Sequence, residues 1–314
     1  MRKVQTLTLI GVFGLIWALD YFLQENINPY VLHVIGNCGI GIILAMSLNL
    51  VNGCAGQFSL GHAGFMGVGA YVSATFTSVL NLSPFFQTDL GVGCAIILGG
   101  VAAAIAGYLV GLPSLRLKGD YLAIVTLGFG EIIRICFLNI EAVGGARGLS
   151  GIPANANFFW IYSWVVITFV ALFRLLRSSH GRAVLSVREN EIAAESMGVD
   201  ISKYKVIAFV ISSFFAGIAG GLFAHFQSFI DPNSFVFNKS VEAVIMVVIG
   251  GMGSLSGAIL GGIIVTLLPE VLRIVGEYRM IIFPLILIVL MLVRPMGLFG
   301  HKEVWEFFRK KASS

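Results

Sequence analysis

Two stretches of this sequence concentrate glycine among polar side chains. The first is Asn52-Gly53-Cys54-Ala55-Gly56-Gln57-Phe58-Ser59-Leu60-Gly61-His62-Ala63-Gly64. The second is Gly250-Gly251-Met252-Gly253-Ser254-Leu255-Ser256-Gly257. Glycine at that density breaks a helix and frees backbone amides and carbonyls. Both stretches interrupt apolar runs, and hydrocarbon cannot satisfy the freed groups, so they must face protein or water. Transporters build polar routes from broken helices in this way. Gly53, Gln57, Ser59, Gly61, His62, Gly250, Gly251, Gly253 and Ser254 are therefore candidates for lining a translocation path. The competing reading is a pair of tight turns with close helix packing, which Gly257-x-x-x-Gly261 and Gly217-x-x-x-Gly221 also suggest. His62 taken alone reads as a structural histidine donating to a carbonyl.

Other chemistry is scarce. A phosphate-binding loop needs a Gly-Lys pair, and the sequence has none. A G-x-S-x-G elbow and an H-E-x-x-H pair are also missing. The chain is read as a transport subunit and not an enzyme, with no cofactor of its own. Ionisable residues inside apolar runs each need a partner. Glu131 and Arg134 share one helix face, and Glu270 and Arg273 repeat the spacing, so pairing within each helix is expected. No chain of carboxylates and histidines crosses the apolar segments, which argues against a proton-driven secondary transporter. Cys38, Cys54, Cys94 and Cys136 form no C-x-x-C pair and read as small packing residues.

The elements that hold these residues are membrane helices. Of the chain, 57% is hydrophobic and 11% charged, against about 25% charged in soluble domains. The mean hydropathy is +0.93. A soluble fold of this composition would have little to set against water; lipid solves the problem by letting apolar side chains face outward. The basic residues sit in short stretches between apolar runs, which argues against a nucleic-acid partner. About ten runs are candidates to span the hydrocarbon. They lie near Thr6–Leu23, Tyr30–Val51, Ala63–Leu82, Leu90–Leu112, Tyr121–Ile140, Phe158–Leu176, Tyr204–Ile230, Ser240–Ile249, Ser256–Ile274 and Met280–Leu292. The first follows Met1-Arg2-Lys3 and lacks a small-x-small cleavage site, so it is read as a retained helix.

Lysine and arginine set the orientation. With the N-terminus inside, inner segments hold Arg2, Lys3, Arg116, Lys118, then Arg174, Arg177, Arg182, Arg188, Lys203 and Lys205. The tail holds Arg294, Lys302, Arg309, Lys310 and Lys311, while outer loops hold only Arg147, Lys239, Arg273 and Arg279. The expected fold is thus all-α, a polytopic membrane protein with both termini cytoplasmic. Residues 1–314 form one domain, with a polar segment at 178–203 and a cytoplasmic tail at 301–314. Within the polar segment, Glu189 to Met197 is rich in helix formers and Gly198 is a natural stop. One or two short amphipathic helices are expected there, across the cytoplasmic face. A weak echo links Ser59-Leu60, Ala63 and Gly67 with Ser254-Leu255, Ala258 and Gly262, too short to decide between a repeat and chance.

Four motifs together resemble one family. Gly181-Arg182-Ala183 with Val187-Arg188-Glu189-Asn190-Glu191-Ile192-Ala193-Ala194-Glu195-Ser196-Met197-Gly198 looks like the cytoplasmic loop of branched-chain amino-acid ABC transporter permeases. Gly56 to Ala63, Gly144 to Pro153 and Gly250 to Ser254 resemble the same family. The likeness runs from about Ala45 to Pro295. It looks closer to the M-type subunit of the high-affinity leucine, isoleucine and valine importer than to the H-type partner, because of the Gly-Ile-Pro loop. The resemblance implies a second homologous permease, two cytoplasmic ABC ATPases that bind the ATP, and a periplasmic or surface amino-acid-binding protein. It places the chain in the cytoplasmic (inner) membrane of a bacterium. Gly181, Arg182, Arg188, Glu191, Ala193, Ala194, Glu195 and Gly198 then become the ATPase-coupling residues. Gly145, Arg147, Gly148, Gly151 and Pro153 become an outer loop near the binding protein. Without the resemblance, the cytoplasmic loop reads as a charged solvated segment. The alternative function is an ion- or proton-coupled secondary transporter, or a channel, for a small polar solute.

Overall fold

The computed structural model describes residues 2–79, 84–114, 119–294, 296–300 and 303. These residues are helical apart from loops and one two-residue strand pair. Helix α1 (Arg2–Asn26) gives way to α2 (Pro29–Asn49) at Asn28, whose side chain accepts from the Tyr30 N–H at 2.9 Å. Such a cap, with proline in the first turn, is a strong helix start. A π-turn, Leu50–Cys54, carries α2 into the first glycine-rich break. Then come α3 (His62–Ala74), extended by a π-turn over Thr75–Val79, α4 (Asp89–Ser114), α5 (Asp120–Asn139) and α6 (Phe158–Arg177). The polar segment forms α7 (Ser179–Glu189) and α8 (Glu191–Ser196), followed by α9 (Ile201–Gln227), α10 (Phe237–Gly250) and α11 (Leu255–Val271). A 3-10 turn over Leu272–Tyr278 leads to α12 (Arg279–Val293). Strands β1 (Leu149–Ser150) and β2 (Phe229–Ile230) pair antiparallel, tying the loop before α6 to the end of α9.

A helix lies in each of the expected apolar stretches, yet among the described residues seven spans are long and apolar enough to cross a membrane by length and composition. That measure joins α11 and α12 into one stretch, Leu255–Val293, and leaves α1 with a shorter apolar part, Gly11–Leu23. The chain is a multi-pass membrane protein. Much of its outward surface is apolar, as lipid requires: Tyr121, Ile124 and Ile132 on α5, and Ile281, Ile288 and Leu292 on α12, are exposed.

Small residues bring the inner helices together. A Cβ on Gly69 of α3 would stand 2.1 Å from the Gly217 carbonyl oxygen of α9, and one on Gly217 would stand 2.5 Å from Ala103 Cβ of α4. Lipid tails are as apolar as the helix surfaces, so close backbone approach supplies the packing. Arg174 and Arg177 end α6, Arg182 and Arg188 lie on α7, and Lys203 and Lys205 open α9, so this basic segment gathers at one end of the bundle. Arg116, Lys118, the side chains of Arg2 and Lys3, and the 301–314 tail apart from Glu303 lie outside the described residues.

The two expected ion pairs come out differently. Arg134 Nε donates to Glu131 Oε2 at 2.7 Å within α5. Glu270 and Arg273 instead converge on a third residue: the Tyr30 hydroxyl donates to Glu270, and the Arg273 guanidinium lies 5.1 Å from the Tyr30 ring centroid. Arg273 lies in the 3-10 turn that follows α11, and Tyr30 of α2, which packs against α11, takes both side chains. Cys38 and Cys54 are buried, whereas Cys94 and Cys136 are exposed, and all four are free thiols.

Candidate functional site

The two glycine-rich breaks, far apart in sequence, meet inside the bundle. Asn49, the last residue of α2 and fully buried, joins them. Its Oδ1 accepts from the Gly253 N–H at 2.8 Å and its Nδ2 donates to the Ser254 carbonyl at 3.1 Å. Gly53 stands at the contact itself: a Cβ there would lie 2.3 Å from the Gly253 nitrogen. The first break thus lies against the second through backbone, and glycine on each side permits it.

The first break has no helix from Ala55 to Gly61, and side chains from elsewhere satisfy its backbone. Asn52 Oδ1 accepts from the Ser59 N–H at 3.1 Å, and Thr126 Oγ1 on α5 accepts from the Leu60 N–H at 3.1 Å. Ser240 Oγ on α10 accepts from the Ala63 N–H at 3.0 Å, one of the orphan donors of the α3 N-terminus. A Cβ on Gly61 would press 2.2 Å from the Thr126 carbonyl oxygen. His62 does not reach a carbonyl. Its Nε2 lies 2.8 Å from Ser47 Oγ, and that hydroxyl donates to the Leu44 carbonyl, so Nε2 carries the proton and donates to Ser47. Gln57 is buried, yet both its amide atoms lack a partner, as does Ser59 Oγ. Buried polar groups left so are rare and call for an explanation.

The second break is a tight reversal. Gly251 and Gly253 adopt φ of 111° and 93°, where a side chain would strain the backbone. Gly250 and Gly257 face each other, with a Cβ on either one falling 2.1 or 2.4 Å from the other's carbonyl oxygen. Ser254 caps α11 by accepting from the Gly257 N–H at 3.1 Å. Glu303 covers the same end, accepting from the Leu255 N–H at 2.9 Å and the Ser256 N–H at 3.1 Å. A carboxylate is favoured there by the helix dipole. Gly257 and Gly261 pack against α10, and Gly217 and Gly221 against α4, so both spaced-glycine motifs serve helix packing.

The polar segment reaches this junction. Arg188 Nη1 donates to the Gly53 carbonyl at 3.0 Å, and a Cβ on Gly56 would lie 3.0 Å from Arg188 Cγ. Arg188 Nε also binds the carboxylate of Glu189 at 3.0 Å. The segment is pinned locally: Ser178 caps α7 through the Gly181 N–H at 3.2 Å, Asn190 caps α8 through the Ala193 N–H at 3.1 Å, and Lys205 pairs with Glu191. Gly181 packs under the end of α6, and Arg182 donates to the Arg177 carbonyl. Gly198, at φ of 82°, ends α8 in the left-handed conformation. Ala194 is buried in the chain itself, so it offers nothing outward; Ile192, Ala193, Glu195 and Met197 form the exposed face.

The loop before α6 lies apart from the junction. Gly145, Gly148 and Gly151 have positive φ, and a Cβ on Gly148 would lie 2.6 Å from the Ile230 carbonyl oxygen, which the strand pair brings close. Arg147 is exposed. The Pro153 carbonyl accepts from His225 Nδ1 at 3.0 Å, which leaves Nε2 to accept from Ser73 Oγ at 3.0 Å. Asn49, Thr126, Ser240 and Glu303 are the site residues that sequence reasoning misses; a lone asparagine at the end of an apolar helix is the only signal any of them gives.

A family model described as the branched-chain amino acid transport system / permease component matches residues 30–293. The chain belongs to this permease family. It is 39% identical to the high-affinity branched-chain amino acid transport system permease protein LivM of Salmonella typhimurium, over 82% of this chain and 67% of that protein. The Escherichia coli protein of the same name is 40% identical over the same shares. The corresponding permease protein LivH of Salmonella typhimurium is 25% identical, over 90% of this chain and 97% of that protein. The greater identity to the first two agrees with the M-type likeness of the Gly-Ile-Pro loop. No solved structure matches the chain.

Proposed function

We propose that this chain is a pore-forming permease subunit of an ABC importer that carries leucine, isoleucine and valine across the inner membrane of a bacterium. Family membership and the names of its relatives support the substrate class. A second homologous permease completes the pore, two separate ATPases bind and hydrolyse the ATP, and an amino-acid-binding protein delivers substrate at the outer loop. About ten crossings, the number the apolar runs support, put both termini and residues 178–203 in the cytoplasm. The glycine-rich junction lies along the route, where the unpartnered atoms of Gln57 and Ser59 offer hydrogen bonds to a passing polar solute or to water.

The observation that carries the mechanism is the Arg188 bond to the Gly53 carbonyl. An ATPase seated on exposed Ile192, Ala193 and Met197 would move α8 and α7 together, and Arg188 would pass that displacement to the first break. A charge-assisted hydrogen bond is worth about 1.5–3 kcal/mol, roughly a tenfold or greater effect. Arg188→Ala is therefore expected to keep ATPase association and hydrolysis while ATP-dependent leucine uptake in proteoliposomes falls about tenfold. Arg188→Lys, which retains one charged donor, is expected to fall between. Full uptake by Arg188→Ala would remove this contact from the coupling route.

A further inference from the structure

Helix α6 sorts its residues by face. Trp164, Thr168 and Leu172 are buried along one side, while Ile167, Val170, Arg174 and Arg177 lie on the opposite side at helical spacing. Ile167, Arg174 and Arg177 are exposed. The helix is long and apolar enough to cross a membrane, so its outward stripe meets acyl chains. The two arginines in its last turn then stand where chains give way to headgroups.

The chain reverses directly after them. Ser178 Oγ donates to the Leu175 carbonyl at 2.6 Å and accepts from the Gly181 N–H at 3.2 Å. Gly181 permits the fold-back, since a Cβ there would lie 2.1 Å from the Leu175 carbonyl oxygen. Were α6 to run on, Arg182 would stand about 12 Å beyond Arg174. Instead its Nη1 donates to the Arg177 carbonyl at 3.2 Å. The Arg177 guanidinium carbon lies 4.0 Å from the Phe173 ring centroid, and Phe173 stacks on Phe169 at 5.7 Å. Three exposed arginines are thereby gathered at the end of an aliphatic and aromatic stripe. Among the described residues no carboxylate forms an ion pair with Arg174 or Arg182; Glu189 pairs with Arg188 and Glu191 with Lys205.

We infer that this cluster holds the headgroup of an anionic phospholipid, whose acyl chains lie along Ile167, Val170 and Phe173. A guanidinium donates to two phosphate oxygens at once and is less strongly hydrated than an ammonium, which suits it to the membrane interface. The stems of Arg174 and Arg177 cover apolar surface while their charges reach the headgroup layer. A zwitterionic lipid offers the same phosphate but brings a cation of its own among three positive charges, so a headgroup with net negative charge is preferred. The inference needs only that the chain sits in a membrane and stands whatever solute it carries.

Native mass spectrometry of the chain purified with its permease partner tests this, after equilibration with equal amounts of phosphatidylglycerol and phosphatidylcholine of the same acyl chains. The wild type is expected to retain phosphatidylglycerol over phosphatidylcholine about tenfold or more. A basic residue at an anionic surface contributes about fivefold, so Arg174→Gln and Arg182→Gln are each expected to lower the preference by that factor. Arg279→Gln, beyond the far end of α11, is expected to leave it unchanged. Glycerol phosphate, a headgroup without chains, is expected to displace no lipid. Equal retention of the two lipids by the wild type, an equal fall with Arg279→Gln, or displacement by glycerol phosphate would each overturn the assignment. So would loss of ATPase co-purification in Arg174→Gln and Arg182→Gln with lipid retention unchanged, which would give the cluster to a protein partner. The lipid comparison on the wild type needs no variant to fold, and it reads no uptake, so its failure leaves the proposed function standing.

Discussion

Gly250 and Gly257 press backbone on backbone across a short reversal, whereas the first break, of similar composition, is drawn out through Ala55–Gly61 and held by borrowed side chains. The second break is held by its own Ser254, by Asn49 from α2, by Glu303 at its edge and by the Leu298 and Phe299 N–H groups, which donate to the Ile249 and Gly250 carbonyls. The first depends on Thr126 from α5, Ser240 from α10 and Arg188 from α7, so movement of any of those helices is felt there. Glycine density therefore marks where a helix breaks, and the neighbours decide whether the break becomes a rigid packing joint or a segment open to displacement. Asn49 couples the two by holding the joint to the end of α2.

The largest expected effect comes from filling the joint. Gly257→Leu puts a side chain 2.4 Å from the Gly250 carbonyl oxygen, a backbone atom that cannot turn aside. Overpacking typically costs about 1–3 kcal/mol, and here the upper end or beyond is expected. Thermal melts and monodispersity of the purified chain measure it. A wild-type melt would mean that the helices are not pressed together at this point.

Asn49→Leu should come next, because it separates the breaks without enlarging either. The Gly253 N–H and the Ser254 carbonyl lose their buried partner, at about 1–3 kcal/mol for each group left unsatisfied. If Asn49→Leu were neutral in the same melt, the breaks would be neighbours without being coupled.

Glu303→Gln is the smallest and most discriminating change. It keeps the shape of the cap on α11 but removes the charge, worth about 0.3–1 kcal/mol at a helix N-terminus. Hydrogen exchange should rise at the amides of Leu255–Gly257 and stay unchanged at Ser59–Leu60. Equal changes at both would show one cooperative unit in place of two differently built breaks.

Much of the architecture is local, and the sequence alone determines it. Apolar runs give the helices because lipid leaves the backbone no other partner. Gly198 ends α8 because only glycine takes its conformation cheaply, and Glu131 reaches Arg134 because they share a helix face. The family is legible for the same reason, since its motifs are short and contiguous. Tertiary structure decided what those residues face. Helix rotation turned Ala194 inward and left Ile192 and Met197 outside. Packing of α2 against α11 set Tyr30 between Glu270 and Arg273. Packing brought Gly53 to Gly253, and the fold of the polar segment carried Arg188 to Gly53. Such contacts join residues hundreds or tens of positions apart, and they depend on helix crossings set by every packed face together, information that no single stretch of sequence holds.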